Sequence, residues 1–113
     1  SAGSSAIHAA VQTASGRPGI QTGTIYTNQW SMLAMSYDGS NTKTYVNGEL
    51  IGTVTQTGNI ASGTTYYVGT YANLGDSNHN WPGRISYATM YSKGLTAAEI
   101  QQNYNAIKSR YNL

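Results

Sequence analysis

Residues 29–54 read Gln29-Trp30-Ser31-Met32-Leu33-Ala34-Met35-Ser36-Tyr37, then Asp38-Gly39-Ser40-Asn41, then Thr42-Lys43-Thr44-Tyr45-Val46, then Asn47-Gly48, then Glu49-Leu50-Ile51-Gly52-Thr53-Val54. Three β-rich runs are divided by two short clusters of turn formers. Asp38, Gly39 and Asn41 tolerate positive φ, and Asn-Gly is the strongest short-range signal for a type I′ hairpin. The stretch therefore predicts a three-strand antiparallel meander. In its first run Trp30, Met32 and Ala34 alternate with Leu33, Met35 and Tyr37, so both faces are largely apolar. That pattern predicts a central strand covered on both sides. Trp30 is expected in the core.

Upstream, residues 1–19 are small and polar and end in the breakers Gly16, Pro18 and Gly19. They are expected to form a flexible or inter-subunit arm. Periodicity leaves residues 6–11 open between a short strand and a helical turn. Residues 20–26 mix Ile, Thr and Tyr and predict a strand, with Gly23 at a bulge. Downstream, residues 55–63 read as a polar connection and residues 64–71 (TTYYVGTY) as a strand. Residues 72–82 form the longest polar loop. The alternation of Ile85, Tyr87, Thr89 and Tyr91 with Arg84, Ser86, Ala88 and Met90 predicts a half-buried strand.

The period then changes. Thr96 and Glu99 fit a capping box, and Ile100, Tyr104, Ile107 and Tyr111 recur at helical spacing, predicting one helix over residues 96–111. The stripe is expected to pack on a sheet. Nothing repeats and no second domain is indicated, so residues 1–113 are read as one domain.

Composition narrows the function. Only 9% of the 113 residues are charged, and the polar surface is made of Thr, Ser, Asn, Gln and ten Tyr. The six basic residues are scattered, with no run that could follow a phosphate backbone, so nucleic acid is not expected as a partner. There is no cysteine, which excludes disulfides and thiolate metal sites. No apolar run approaches the ~20 residues of a membrane-spanning helix, and membrane insertion is not expected. The N-terminus lacks initiator Met and signal-peptide pattern, and is read as a processed product or a piece of something longer.

Four pieces of sequence then resemble a known family. Trp30, the run from Ala34 to Gly39, and Tyr45-Val46-Asn47-Gly48 resemble the core of the laminin-G-like, concanavalin A-like lectin/glucanase superfamily. Val68-Gly69 resembles a later strand, and Trp81-Pro82-Gly83-Arg84-Ile85-Ser86 the strand after it. The run from Tyr91 to Ile100 resembles the family's ending. The resemblance implies an all-β fold, a jelly-roll β-sandwich of two antiparallel sheets, here with one C-terminal α-helix. Family members often carry several strands ahead of the Trp segment. Only about thirty residues precede Trp30 here, which implies a trimmed sandwich with an open edge able to pair with a neighbour. The ending is also similar, more loosely, to laminin-G-like domains of tailed-phage virion proteins.

Catalysis is not expected. The only acids are Asp38, Glu49, Asp76 and Glu99. Asp38 belongs to a turn, Glu49 follows a turn and Glu99 fits a cap. Glycoside hydrolysis needs two opposed carboxylates, and the clustered acids of the glucanase branch have no counterpart here. His8 and His79, the two histidines, have no nucleophile motif beside them. Some laminin-G-like domains hold calcium at the sandwich rim, and Asp76 and Asn78 are the candidates for it. Calcium takes six to eight oxygens and favours more carboxylates, so the expectation is no metal and no cofactor. For carbohydrate, aromatic faces and amides are the required chemistry. Tyr71, Asn73, Asp76, Asn78, His79 and Trp81 supply both within one loop and are the candidate ligand-binding residues. The expectation is a non-catalytic surface domain, virion or extracellular, whose partners are a glycan or neighbouring assembly subunits, with oligomerisation possible. The alternatives are a purely structural decoration protein and a free-standing lectin.

Overall fold

The structure is a computed structural model and describes residues 4–62, 81 and 83–113. The chain divides into two compact units, residues 1–61 with 93–113, and residues 62–92.

In the first unit, β1 (Ser4–Ala10) pairs antiparallel with β2 (Gly19–Tyr26). Part of the expected N-terminal arm is thus a strand of the chain's own sheet. Ser5 pairs with Ile25 and Ile7 with Thr22, so β2 carries the extra residue of a bulge beside Gly23, whose φ is +76°. The expected meander follows: β3 (Leu33–Tyr37), β4 (Asn41–Val46) and β5 (Glu49–Thr55), in the order β3-β4-β5.

Two local devices set its register. Asp38 Oδ1 accepts from the backbone N–H groups of Ser40 (2.9 Å) and Asn41 (2.7 Å), closing the first turn. Asn47 and Gly48 have φ of 50° and 80°, the positive values that a type I′ turn demands. Gly48 is also buried against Tyr104: a Cβ there would lie 3.0 Å from that side chain.

The strand order corrects one expectation. Among the described residues β3 is an edge strand, and β4 is central. Thr42, Thr44 and Tyr45 are buried, whereas Leu33 and Met35 are 40% and 46% exposed. An apolar run marks a strand but not its neighbours; a meander places its middle strand at the centre. Trp30 corrects a second: it precedes the ladder and is 40% exposed. The third concerns residues 84–91, which form no strand among the described residues and are exposed throughout. Alternation specifies a face only where a partner strand supplies the ladder, and the expected strand 64–71 lies outside the described residues.

Cross-strand pairs share a face, so Thr42, Thr44 and Val46 look the same way as Tyr37, Met35 and Leu33. That face meets the β1–β2 sheet, since a Cβ on Gly23 would run into the side chain of Ile51 and approach that of Val46. The junction is sealed by a polar residue. Gln56 is 4% exposed, and its Nε2 donates to the carbonyls of Val11 (2.8 Å) and Gly16 (3.0 Å) and to Thr13 Oγ1 (3.2 Å). Its Oε1 accepts from the Thr42 hydroxyl at 3.4 Å, and its N–H donates to the Ser40 carbonyl at 2.9 Å. Thr13 and Ser15 add hydroxyl bonds to the Thr57 carbonyl, and Tyr37 reaches the Gly58 carbonyl.

α1 (Ala97–Ile107) opens with the expected capping box: Thr96 Oγ1 accepts from Glu99 N, and Glu99 accepts from Thr96 N. It packs against β5 and buries Ile100 to 2% exposure. The last turn tightens into a 3-10 helix, Lys108–Tyr111. Where the chain approaches this helix, Gly94 passes the end of β3 so closely that a Cβ would stand 2.5 Å from the Tyr37 carbonyl oxygen.

Gln56 and Thr44 give opposite expectations in urea unfolding. Gln56→Ala strands several buried carbonyls and should cost about 3 kcal/mol. The buried Thr44 hydroxyl has no partner among the described residues, so Thr44→Val should leave stability unchanged or raise it by up to about 1 kcal/mol.

Candidate functional site

Of the six loop residues chosen from sequence, Tyr71, Asn73, Asp76, Asn78 and His79 lie outside the described residues. Trp81 is described and 43% exposed, with Gly83 beside its indole. The structure instead brings together a group that sequence reading missed.

A cleft of about 360 Å³ opens where the segment before β3, the β4–β5 turn and the C-terminal residues meet. It is lined by Trp30 and Tyr111 and by the amide-bearing residues Asn28, Gln29, Asn47 and Asn112. Leu113 adds an apolar edge. The two rings stand 5.3 Å apart between centroids and are inclined at 59°, within the range where aromatic pairs attract. Trp30 is thus in tilted contact with Tyr111 while 40% exposed.

The described residues contain three non-glycine positions with positive φ: Asn28 at 63°, Asn47 at 50° and Asn112 at 58°. All three line this cleft. Asparagine enters the left-handed region most readily of the residues with a side chain, because its short amide can bond locally. Residues held there cost roughly 1–3 kcal/mol each and cluster at ligand sites. Each of the three sits at a chain reversal or helix end, so the turns that build the fold also place their amides around the rings.

Asn47 is fixed more firmly than its companions. Its N–H donates to the Met32 carbonyl (2.8 Å), and its Oδ1 accepts from the Met32 N–H (2.9 Å). This reciprocal pair ties the segment carrying Trp30 to the hairpin. It also settles the amide orientation, since a flipped amide would set two donors against each other. The Nδ2 group has no acceptor among the described residues.

A second cleft of about 300 Å³ lies between β1 and β3, lined by Ile7, Ala9, Leu33, Met35 and the buried Thr44. It is mainly apolar and has no comparable set of amides.

Two of the four acids have other work. Hydrogen bonds from the N–H groups of Asn41 and Ser40 hold the Asp38 carboxyl below its ordinary pKa. Lys93, at 2.8 Å, followed by the Thr96 N–H, does the same for Glu99. Among the described residues no three His, Asp or Glu side chains gather where a metal could bind, and no helix is long and apolar enough to cross a membrane.

Comparison with known proteins agrees with this architecture. The Concanavalin A-like lectin/glucanases superfamily matches residues 1–101. The chain belongs to that superfamily, with its antiparallel β-sheets and C-terminal helix. A similar solved structure is the S-layer domain-containing protein (residues 221–444) of Clostridium thermocellum ATCC 27405, with a TM-score of 0.62 and 21% identity. The likeness covers 79% of this chain and 46% of that one, so this chain spans about half of its neighbour. Comparison with curated proteins finds none that matches.

Both carboxyls are depressed in the fold, so each contributes stability that is complete above the unfolded pKa, about 4, and is lost as pH falls through the lower folded value. Urea midpoints should therefore hold steady from pH 7 to 5 and drop below pH 4. Asp38→Asn should flatten that drop; an unchanged acid limb in this variant would show that the turn carboxylate contributes nothing.

Proposed function

We propose that the chain is a non-catalytic surface domain that binds an uncharged carbohydrate in the Trp30 cleft. The observation that carries this reading is that Trp30, an inclined Tyr111 ring and four Asn or Gln residues line one cleft. A pyranose presents an apolar face of C–H groups and a rim of hydroxyls. The first is matched by an aromatic plane, the second by groups that both donate and accept. Ligand sites in general combine an apolar wall with a few placed polar groups.

The acids support binding over turnover. Asp38 and Glu99 are committed to a turn and a cap, and neither lines the cleft. The likeness to an S-layer domain-containing protein and the sparsely charged, Tyr-rich composition support an exposed setting, on a cell envelope or a virion. There the domain would attach to glycan, and assembly with neighbouring subunits is the second role its Tyr-rich surface suits. The loop of residues 71–81 keeps its place as a further contact region.

The test is a glycan array followed by titration of the best neutral binder against Trp30→Ala. The variant should lose at least about tenfold in affinity, since an aromatic stacking surface carries a large share of such a contact. No binder on a broad array, or full affinity in the variant, would overturn the reading.

A further inference from the structure

We infer that Tyr104 is a positioning residue for the cleft: seated on Gly48, it registers Tyr111 against Trp30, so that the Asn47-Gly48 turn sets both aromatic walls. This rests on the carbohydrate reading above and adds the device that keeps its two rings together. Tyr104 does not line the cleft. Any effect it has on binding must pass through residues that do.

Each residue of the turn holds one wall. Asn47 holds the first, bonded to the Met32 carbonyl at 2.8 Å and to the Met32 N–H at 2.9 Å, just past Trp30. Gly48 receives the second. It is buried at φ +80°, and a Cβ on it would meet both Cβ and Cδ2 of Tyr104 at 3.0 Å. The missing side chain is what lets the Tyr104 ring lie on the backbone of the turn.

From Tyr104 the path to Tyr111 is short and hydrogen-bonded. The Lys108 N–H donates to the Tyr104 carbonyl, and Lys108 Nζ stands 5.9 Å from the centroid of the Tyr104 ring. The Lys108 carbonyl in turn accepts from the N–H groups of Asn112 and, at 2.9 Å, Leu113, which closes the 3-10 turn ending in Tyr111. Two neighbouring residues thus seat two segments far apart in sequence, and the 5.3 Å between the rings is set at the turn. A ligand then meets an aromatic pair already assembled. Apparent affinity falls in proportion when less of the population keeps the pair together.

The experiment follows nuclear Overhauser effects between the Trp30 and Tyr111 rings in the ligand-free full chain, then titrates the best neutral binder from a glycan array. Tyr104→Ala takes the ring off Gly48. It should lose those effects and weaken binding at least about threefold, the result of a competent population cut to a third. Tyr104→Phe keeps the ring and should match the wild-type chain in both readouts. Asn47→Gly keeps the positive φ and removes Oδ1, and should lose the ring contact from the Trp30 side. Ile100→Val, buried on the same helix, should lower the urea midpoint and leave ring contact and affinity as they are. That contrast separates positioning from stability.

Persistent ring contact in Tyr104→Ala, or its equal loss in Ile100→Val, would overturn the inference. Were Tyr104→Ala not to fold, persistent contact in Asn47→Gly would do the same. Absence of sugar binding in the wild-type chain would instead remove the carbohydrate reading, and the ring contact would still decide whether Tyr104 sets the walls.

Discussion

The reciprocal pair between Asn47 and Met32 is the constraint on which the rest turns. The backbone bond extends the ladder beyond β3, and the side-chain bond closes a ring around the same residue. Together they hold the approach to β3 against the β4–β5 turn. Without them Trp30 would be a solvent-exposed indole on an untethered segment. With them it is a wall at a defined distance from Tyr111 and from a fixed amide donor. Fold and site therefore share one set of atoms, and the left-handed backbone that Asn47 adopts is repaid twice.

Gln56 plays the corresponding part on the opposite side of the sheet. A buried amide is costly unless its donors and acceptor are used, and here Nε2 and Oε1 both find partners on segments far apart in the chain. Among the described residues few large apolar side chains are fully buried, Tyr45 and Ile100 being two. The two sheets are thus joined by hydrogen bonds where a larger core would use hydrocarbon. Such a junction is specific in register, because shifting either segment by one residue would strand several buried groups at once.

What was legible in the sequence was what is local. Asp38-Gly39, Asn47-Gly48 and Thr96 with Glu99 each specify their own few residues, and each is found as read. The place of β3 at an edge among the described residues was not legible, because the apolar run at Leu33–Tyr37 looks the same at an edge as at a centre. Gln56 hid within a polar connection, since nothing nearby in sequence distinguishes a hub from a solvated loop residue. The cleft was missed for the same reason. Asn28, Asn47 and Asn112 are distant in sequence, and each alone reads as turn chemistry. One signal could have found them: Trp30 lies just ahead of a strand and Tyr111 ends the C-terminal helical stretch, so both sit at the limits of elements and not within them. The loop of residues 71–81 drew attention because its polar and aromatic residues are contiguous, which the cleft's are not.

The most direct measurement is a ¹H–¹⁵N correlation titration of the intact chain with the best neutral binder from a glycan array, following the two indole N–H signals and the asparagine side-chain amides. The Trp30 indole and the side-chain amides of Asn47, Asn28 and Asn112 should shift together along one binding curve. Saturable shifts centred on Trp81, with Trp30 and Asn47 unmoved, would contradict binding in the Trp30 cleft.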